Sequence, residues 1–235
     1  YEKHLDTFIG GDNDKDGYYY DYNENGDVEL YTTQEKPFTI TMSGAGTEAS
    51  PYIINNYTQF REASYNPGAY YTLNTDINFT NQNPIMLSSE ANPFMGNFNG
   101  QNHTLSNINI EGHNRTGLFG ENSGTIRGLH LNNMNIKGER STGMIGYNND
   151  TGTVQGIWVD GNITGSYFVG GIVGYNFGTV TEVQMIGNVY SRQQSGLLVG
   201  RMNGGTLKGI AKGNVDSSEN YDSTYGYTGG IAGIS

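Results

Sequence analysis

Several features that define common protein classes are missing from this chain. It has no cysteine, which excludes disulfide bonds and thiolate metal sites. No segment approaches the roughly 18 consecutive apolar residues that a membrane-spanning helix needs. Basic residues are scarce, with 12 Lys and Arg against 23 Asp and Glu and a formal net charge of −11. Without a basic stripe to displace counterions, nucleic acid is not an expected partner.

The common catalytic signatures are also missing. The sequence contains neither a His-Glu-x-x-His zinc-protease motif nor a Gly-x-Ser-x-Gly nucleophile motif. Acidic residues in the repeat region, such as Asp150, Asp160 and Glu182, are isolated and do not recur from one repeat to the next. We therefore expect that this chain is not an enzyme. The four histidines are scattered, at His4, His103, His113 and His130.

What the chain does contain is one short phrase that returns at a nearly fixed period. It reads Gly-Leu-Phe-Gly at 117–120, Gly-Met-Ile-Gly at 143–146 and Gly-Ile-Val-Gly at 171–174, with later copies at 197–200 and 230–233. A period in the twenties is typical of a solenoid, in which no single repeat can bury its apolar face alone. The closing glycines are Gly120, Gly146, Gly174, Gly200 and Gly233.

Each repeat holds about three short apolar segments separated by Gly and Asn, too short for helices but typical of strands. Three short strands per turn, stacked in parallel about 4.8 Å apart, predict an all-β fold, a parallel β-helix. In that fold one threonine from each repeat forms a ladder: Thr125, Thr153, Thr179 and Thr206. One apolar residue from each repeat forms a buried stack: Leu118, Met144, Ile172 and Leu198.

A series of phrases precedes the first Gly-Leu-Phe-Gly copy in a fixed order: Gly46–Ile54, Tyr57–Ala63, Tyr70–Leu73, Asp76–Ile77, Pro93–Gly100, His103–Leu105 and Ile108–Ile110. With this series, residues 46–235 resemble the GLUG-repeat regions of bacterial surface proteins. Such regions occur in large adhesin-like proteins and in the N-terminal part of some immunoglobulin A peptidases. The resemblance implies a right-handed parallel β-helix with a cap near 57–63, at the surface of a cell or outside it.

The segment near 57–63 has the residues of a short capping helix. Thr58 can serve as the N-cap, and Phe60 and Ala63 lie three apart on one face. A cap is needed because an open coil edge would pair with another chain. No matching cap is evident at the other end, so we expect the chain to be part of a longer parent protein whose coils continue.

Residues 1–44 differ from the repeat region, which we place at 45–235. They carry 10 acidic and 3 basic side chains. Oxygen-bearing side chains at alternate positions followed by glycine resemble the first half of a calcium loop. The alternative is a β-hairpin closed by Asn25-Gly26 between Tyr18–Tyr22 and Val28–Tyr31. The candidate calcium ligands are Asp12, Asp14, Asp16, Asp21, Asn23, Asn25 and Asp27.

Aromatic residues offer a second candidate site, because sugars stack on the apolar faces of aromatic rings. The last repeat contains an insertion, Asp216–Tyr227, that carries Tyr221, Tyr225 and Tyr227. Insertions on one face of a solenoid often form the binding face. Packing and loop bracing are the alternative role for these tyrosines.

Together these features predict a non-catalytic, surface-exposed β-helix module for adhesion or for projecting a binding domain. Its expected partner is a glycan or glycoprotein of a host or of the environment. One alternative is the substrate-gripping N-terminal region of a secreted zinc peptidase. Another is a carbohydrate-active β-helix.

Overall fold

The computed structural model describes residues 18–22, 28–32, 40–83, 85–216 and 227–233, with side chains at 40–83, 85–216 and 229–233. The chain divides into two compact units, Tyr1–Ile40 and Thr41–Ser235. In the described part of the chain, no helix has the length and apolar character to cross a membrane.

The first unit contains an antiparallel hairpin of β1 (Tyr18–Tyr22) and β2 (Val28–Thr32). The strands pair from Tyr18 with Thr32 to Tyr22 with Val28. This pairing confirms the two strands of the hairpin alternative. The connection between them, including Asn25 and Gly26, lies outside the described residues.

The described residues of the second unit form short and long parallel strands and a short helix, α1 (Tyr57–Glu62), which is followed by a 3₁₀ turn at Ala63–Tyr65. Its strands are β3 (Tyr52–Ile54), β4 (Tyr70–Leu73), β5 (Ile77–Asn78), β6 (Asn97–Glu111), β7 (Phe119–Asn122), β8 (Thr125–Lys137), β9 (Ser141–Thr142), β10 (Ile145–Asn148), β11 (Thr153–Thr164), β12 (Phe168–Gly170), β13 (Val173–Asn176), β14 (Thr179–Tyr190), β15 (Gln194–Gly196), β16 (Val199–Met202), β17 (Thr206–Asp216) and β18 (Tyr227–Gly229).

These strands form three parallel sheets that enclose the core. The large sheet has the order β17-β14-β11-β8-β6-β4-β3, and β5 also pairs with β6. The second sheet has the order β16-β13-β10-β7 and the third β18-β15-β12-β9. Each full turn contributes one strand to each sheet, as β8, β9 and β10 do. The result is a solenoid of about six turns, which confirms the prediction of a parallel β-helix.

The three strands of a turn differ in length more than the sequence suggests. The apolar segments around Ile126, Leu129 and Ile136 belong to one strand of 13 residues, β8, and are not separate strands. Gly128, with a φ of 61°, bends this strand while its pairing with β11 continues on both sides. The two remaining strands of the turn, β9 and β10, have two and four residues.

Side chains at equivalent places in successive coils stack in columns, some apolar and some polar. The predicted stack of Leu118, Met144, Ile172 and Leu198 is confirmed, because all four residues are fully buried. The predicted threonine ladder is also confirmed, since Thr125, Thr153, Thr179 and Thr206 are in register. Beside the apolar stack lies a buried asparagine ladder, formed by Asn122, Asn148 and Asn176.

Helix α1 and the 3₁₀ turn after it pack on the first turns of the solenoid, with Phe60 and Ala63 both buried. The Phe60 ring meets the rings of Phe79 and Phe98 edge-on, at centroid distances of 5.2 and 5.9 Å. The predicted N-cap was wrong. Asn56, and not Thr58, precedes the helix in extended conformation, and its Oδ1 accepts a hydrogen bond from the Gln59 amide at 3.0 Å.

Candidate ligand-binding face

The outer face of the large sheet carries an exposed tryptophan. Side chains alternate along β11, so Ile157 and Val159 point into the core while Trp158 points outward and is 52% exposed. On the neighbouring strand β8, His130 pairs with Trp158 in register. The two rings stack with centroids 4.5 Å apart and planes 5° apart. This contact covers one face of the indole, and about half of the tryptophan side chain remains exposed to solvent.

A groove of about 390 Å³ begins at Trp158 and continues across β14 to β17. Gln184 and Ile210 follow Trp158 in the same column of the sheet, and Ile210 is 66% exposed. Glu182 and Lys208 supply one negative and one positive group to the groove. We call these five residues the Trp158 groove. It combines apolar surface with hydrogen-bonding groups of both kinds.

The Trp158 groove has a fixed polar edge at Glu182. Glu182 Oε2 accepts a hydrogen bond from Gln155 Nε2 at 3.1 Å. The backbone of Glu182 lies in the left-handed region, with a φ of 56°, where the ladder between β14 and β17 is irregular. This irregularity displaces the chain locally and places a charged side chain in the Trp158 groove.

An exposed asparagine ladder runs across the same sheet face. Its members are in register on β8, β11, β14 and β17. Each Nδ2 donates to the Oδ1 of the preceding coil, at 3.3, 2.8 and 3.2 Å. Because Asn162 lies four residues after Trp158, the ladder runs about 13 Å from the tryptophan column. The ladder comprises Asn135, Asn162, Asn188 and Asn214.

A second depression of about 390 Å³ adjoins this ladder near Asn135 and Asn162. Glu111 and Lys137 line it and form an exposed ion pair, with Nζ 2.6 Å from Oε1. The hydrogen bond and the opposite charge lower the pKa of Glu111 and raise the pKa of Lys137. This face therefore offers two shallow depressions, and each is lined by one acidic and one basic side chain.

The sites predicted from the sequence lie largely elsewhere in the chain. The Asp21 backbone belongs to β1, and its side chain is not described. Of the three predicted tyrosines, only the backbone of Tyr227 is described, and it pairs in β18 with Gln194. All other predicted ligands lie outside the described residues: Asp12, Asp14, Asp16, Asn23, Asn25, Asp27, Tyr221 and Tyr225. Within the described part of the chain, no group of three or more His, Asp or Glu side chains is placed to hold a metal ion.

Trp158 is not among the binding residues that the sequence pattern predicted. The available signal was the strict alternation of Ile157, Trp158 and Val159, which puts the largest side chain of the strand on the face opposite two aliphatic residues. Its stacking partner His130 lies 28 residues earlier, one full repeat away. That pairing becomes visible only when the coils are placed in register.

These features define a parallel β-solenoid with an exposed aromatic groove on its largest face. Halomucin from Haloquadratum walsbyi is 28% identical to this chain over 170 residues, which cover 64% of this chain and 2% of halomucin. A Bacteroides ovatus protein, provisionally designated an immunoglobulin A1 protease, has a crystal structure that matches with a TM-score of 0.65 at 24% identity. This match covers 81% of the present chain and 63% of that one, and it shows the fold. No protein-family model matches the chain.

Proposed function

We propose that this chain is a non-catalytic, GLUG-type β-helix module, exposed at a cell surface, that binds a glycan or a glycoprotein. The observation that carries the proposal is Trp158, which is half exposed and stacked on His130 at the edge of a groove. Its role is adhesion, or the projection of a binding domain of the same parent protein. The partner is a glycan of a host or of the environment.

The chemistry of the Trp158 groove suits a sugar. An indole face binds the apolar C–H face of a pyranose ring, while its neighbours must satisfy the hydroxyl groups at the rim of that ring. Gln184 offers an amide donor and acceptor, Glu182 accepts and Lys208 donates. Because the groove is open and shallow, it suits a segment of an extended glycan better than a small molecule that needs an enclosing pocket.

The similarity to halomucin supports the surface location, and the Bacteroides ovatus neighbour supports a second candidate function. That candidate is the substrate-gripping N-terminal region of a secreted zinc peptidase. The chain itself has no His-Glu-x-x-His motif, so in that setting it would hold a glycoprotein substrate while another region cuts it. Both candidates assign binding to this chain. A carbohydrate-active β-helix, in contrast, would release oligosaccharides from a polymer.

Intrinsic fluorescence tests the proposal directly, because Trp158 is the single tryptophan among 235 residues. The full chain is first screened on an array of host and environmental glycans, and the retained oligosaccharide is then titrated with excitation selective for tryptophan. We expect the Trp158 emission to change with saturation. Trp158→Ala should weaken binding, measured by calorimetry, at least about tenfold.

Tyr65→Ala is the matched control, because Tyr65 is also an exposed aromatic residue, at 39%, on the 3₁₀ turn after α1. This variant should bind like the parent. If no glycan is retained, the proposed function is wrong. If Trp158→Ala binds the retained glycan as tightly as the parent, the Trp158 groove is not its binding site and the observation that carries the proposal fails. Release of oligosaccharides from a polymer by the purified chain would favour the carbohydrate-active alternative.

A further inference from the structure

The second sheet carries an aromatic column with an arginine at each end. Tyr147 and Tyr175 are in register on β10 and β13, and their rings meet edge-on at 5.3 Å. Arg115 lies over the Tyr147 ring at 4.3 Å. At the other end Arg201, in register with Tyr175, lies 5.2 Å from that ring. This column is on a different sheet from the Trp158 groove.

The two arginines differ in their partners. Arg115 forms ion pairs with Glu90, at 2.9 Å, and with the buried Glu121. Arg201 has no carboxylate within 4 Å in the part of the chain that the structure describes. Its Nε–H is shielded from solvent and has no hydrogen-bond acceptor there. Arg201 is thus a half-buried cation with unused hydrogen-bonding capacity.

Two aromatic rings hold this cation in place. Arg201 lies 5.2 Å from the centroid of Phe168 as well as from that of Tyr175, and these two rings are 5.0 Å apart. Rings that cover a guanidinium exclude water from it. The electrostatic attraction between the guanidinium and a bound anion is therefore stronger than it would be in bulk solvent. Because Nε is shielded, a carboxylate reaches Arg201 through the two Nη groups of the planar guanidinium, which can donate two parallel hydrogen bonds to it.

We propose that Arg201, Phe168 and Tyr175 form a binding site for the carboxylate of an acidic sugar, such as a uronic or a sialic acid. The single positive charge matches one carboxylate, and the flanking rings suit the apolar face of the attached sugar. The net charge of −11 gives the protein no general attraction for anions, so the selectivity comes from these three residues.

The test is calorimetric titration of the full chain with three probes: a galacturonate hexamer, a hyaluronan oligosaccharide and sialyllactose. We expect at least one probe to bind, and its methyl ester to bind at least about tenfold more weakly, because esterification removes the charge. Arg201→Gln should cause a loss of similar size. The proposal fails if none of the three probes binds, or if none binds more tightly than its methyl ester.

Arg127→Gln is the matched control, since it removes one exposed positive charge from the large sheet and should change affinity less than about twofold. Arg201→Lys keeps the charge but loses the planar fork, and we expect it to retain only part of the affinity. It replaces Arg201→Gln if thermal denaturation shows that the glutamine variant is unfolded. Equal affinities of parent and lysine variant would contradict the bidentate geometry.

This inference is independent of the proposed function. Trp158→Ala removes the indole from the large sheet and should leave binding of the acidic probe unchanged. Loss of probe binding in Trp158→Ala, with binding intact in Arg201→Gln, would place the acidic sugar in the Trp158 groove and overturn the Arg201 site.

Discussion

Truncation of Asn148 should destabilise the solenoid strongly, because this side chain is the centre of the buried asparagine ladder. Its Nδ2 donates to Asn176 Oδ1 at 2.8 Å and to the carbonyl oxygen of Gly152 at 3.2 Å. Its Oδ1 accepts from Asn122 Nδ2 at 2.8 Å. Asn148 and both ladder neighbours are fully buried.

The size of the stability loss follows from the hydrogen bonds that each partner of Asn148 keeps after Asn148→Ala. Asn122 Nδ2 retains the carbonyl oxygen of Gly124 as an acceptor, and Gly152 O retains the Thr179 amide as a donor. Asn176 Oδ1 loses its donor, and an unsatisfied buried acceptor costs about 1–3 kcal/mol. The lost ladder bonds and the cavity add to this cost. We expect the free energy of unfolding to fall by about 2–4 kcal/mol.

Asn162→Ala is the matched control in the exposed asparagine ladder. Asn162 accepts from Asn188 Nδ2 at 2.8 Å and donates to Asn135 Oδ1 at 3.3 Å, so it makes similar ladder bonds. Water can replace those bonds at the surface, and we expect a loss below about 0.5 kcal/mol.

Urea unfolding followed by circular dichroism measures both variants. A lower midpoint with an unchanged m-value identifies a loss of stability. Equal losses in the two variants would refute the reasoning, because burial would then make no difference to the ladder. A loss below about 1 kcal/mol for the buried variant would show that the interior admits water.

Three further predictions concern other parts of the chain. Gly161→Ala should cost about 2 kcal/mol or more in urea unfolding, because its Cβ would overlap the carbonyl oxygen of Met134. Gly68→Ala should change stability by less than about 0.5 kcal/mol, because its Cβ would make only an ordinary contact, 3.8 Å from Asn66 Oδ1. Asp76 accepts a hydrogen bond from a backbone amide of the next coil, and this bond lowers the pKa of Asp76. The ionised carboxylate therefore stabilises the folded state fully above the ordinary pKa of about 3.9, and this stabilisation is lost as pH falls through the lowered pKa. Asp76→Asn should therefore lower stability at pH 7, and the difference from the parent should disappear in strong acid. Millimolar calcium should raise the melting temperature of the parent relative to chelator, since a ligand bound by the folded state stabilises that state. Asp14→Asn should reduce the increase. Identical melting temperatures of the parent with calcium and with chelator would contradict the calcium site.

The repeat period was enough to predict the stacking of the coils. Glycine-closed phrases recur with one apolar residue at the same place, at Leu118, Met144, Ile172 and Leu198. Such residues can be buried only by the equivalent residues of neighbouring repeats, so a parallel solenoid follows from the spacing alone. The structure confirms this stack.

Local details depended on geometry that the sequence leaves open. Asn56 and Thr58 both have side chains able to cap a helix, and the choice is made by where the chain leaves β3 and turns into α1. Alternation along β11 places Trp158 on the outer face of the large sheet. Only the register with the preceding coil shows that His130 stacks on its ring.

The asparagines separate what the repeat period determines from what the tertiary structure determines. Asn122, Asn148 and Asn176 recur at the repeat period and lie inside, while Asn162 and Asn188 recur at the same period and lie outside. The sequence by itself determined that asparagines align in columns, because one residue per turn occupies each position of a regular coil. Only the tertiary structure decided which column is buried. A buried amide is stable only when neighbouring coils and backbone carbonyls satisfy its hydrogen bonds, and those partners come together only in the folded chain.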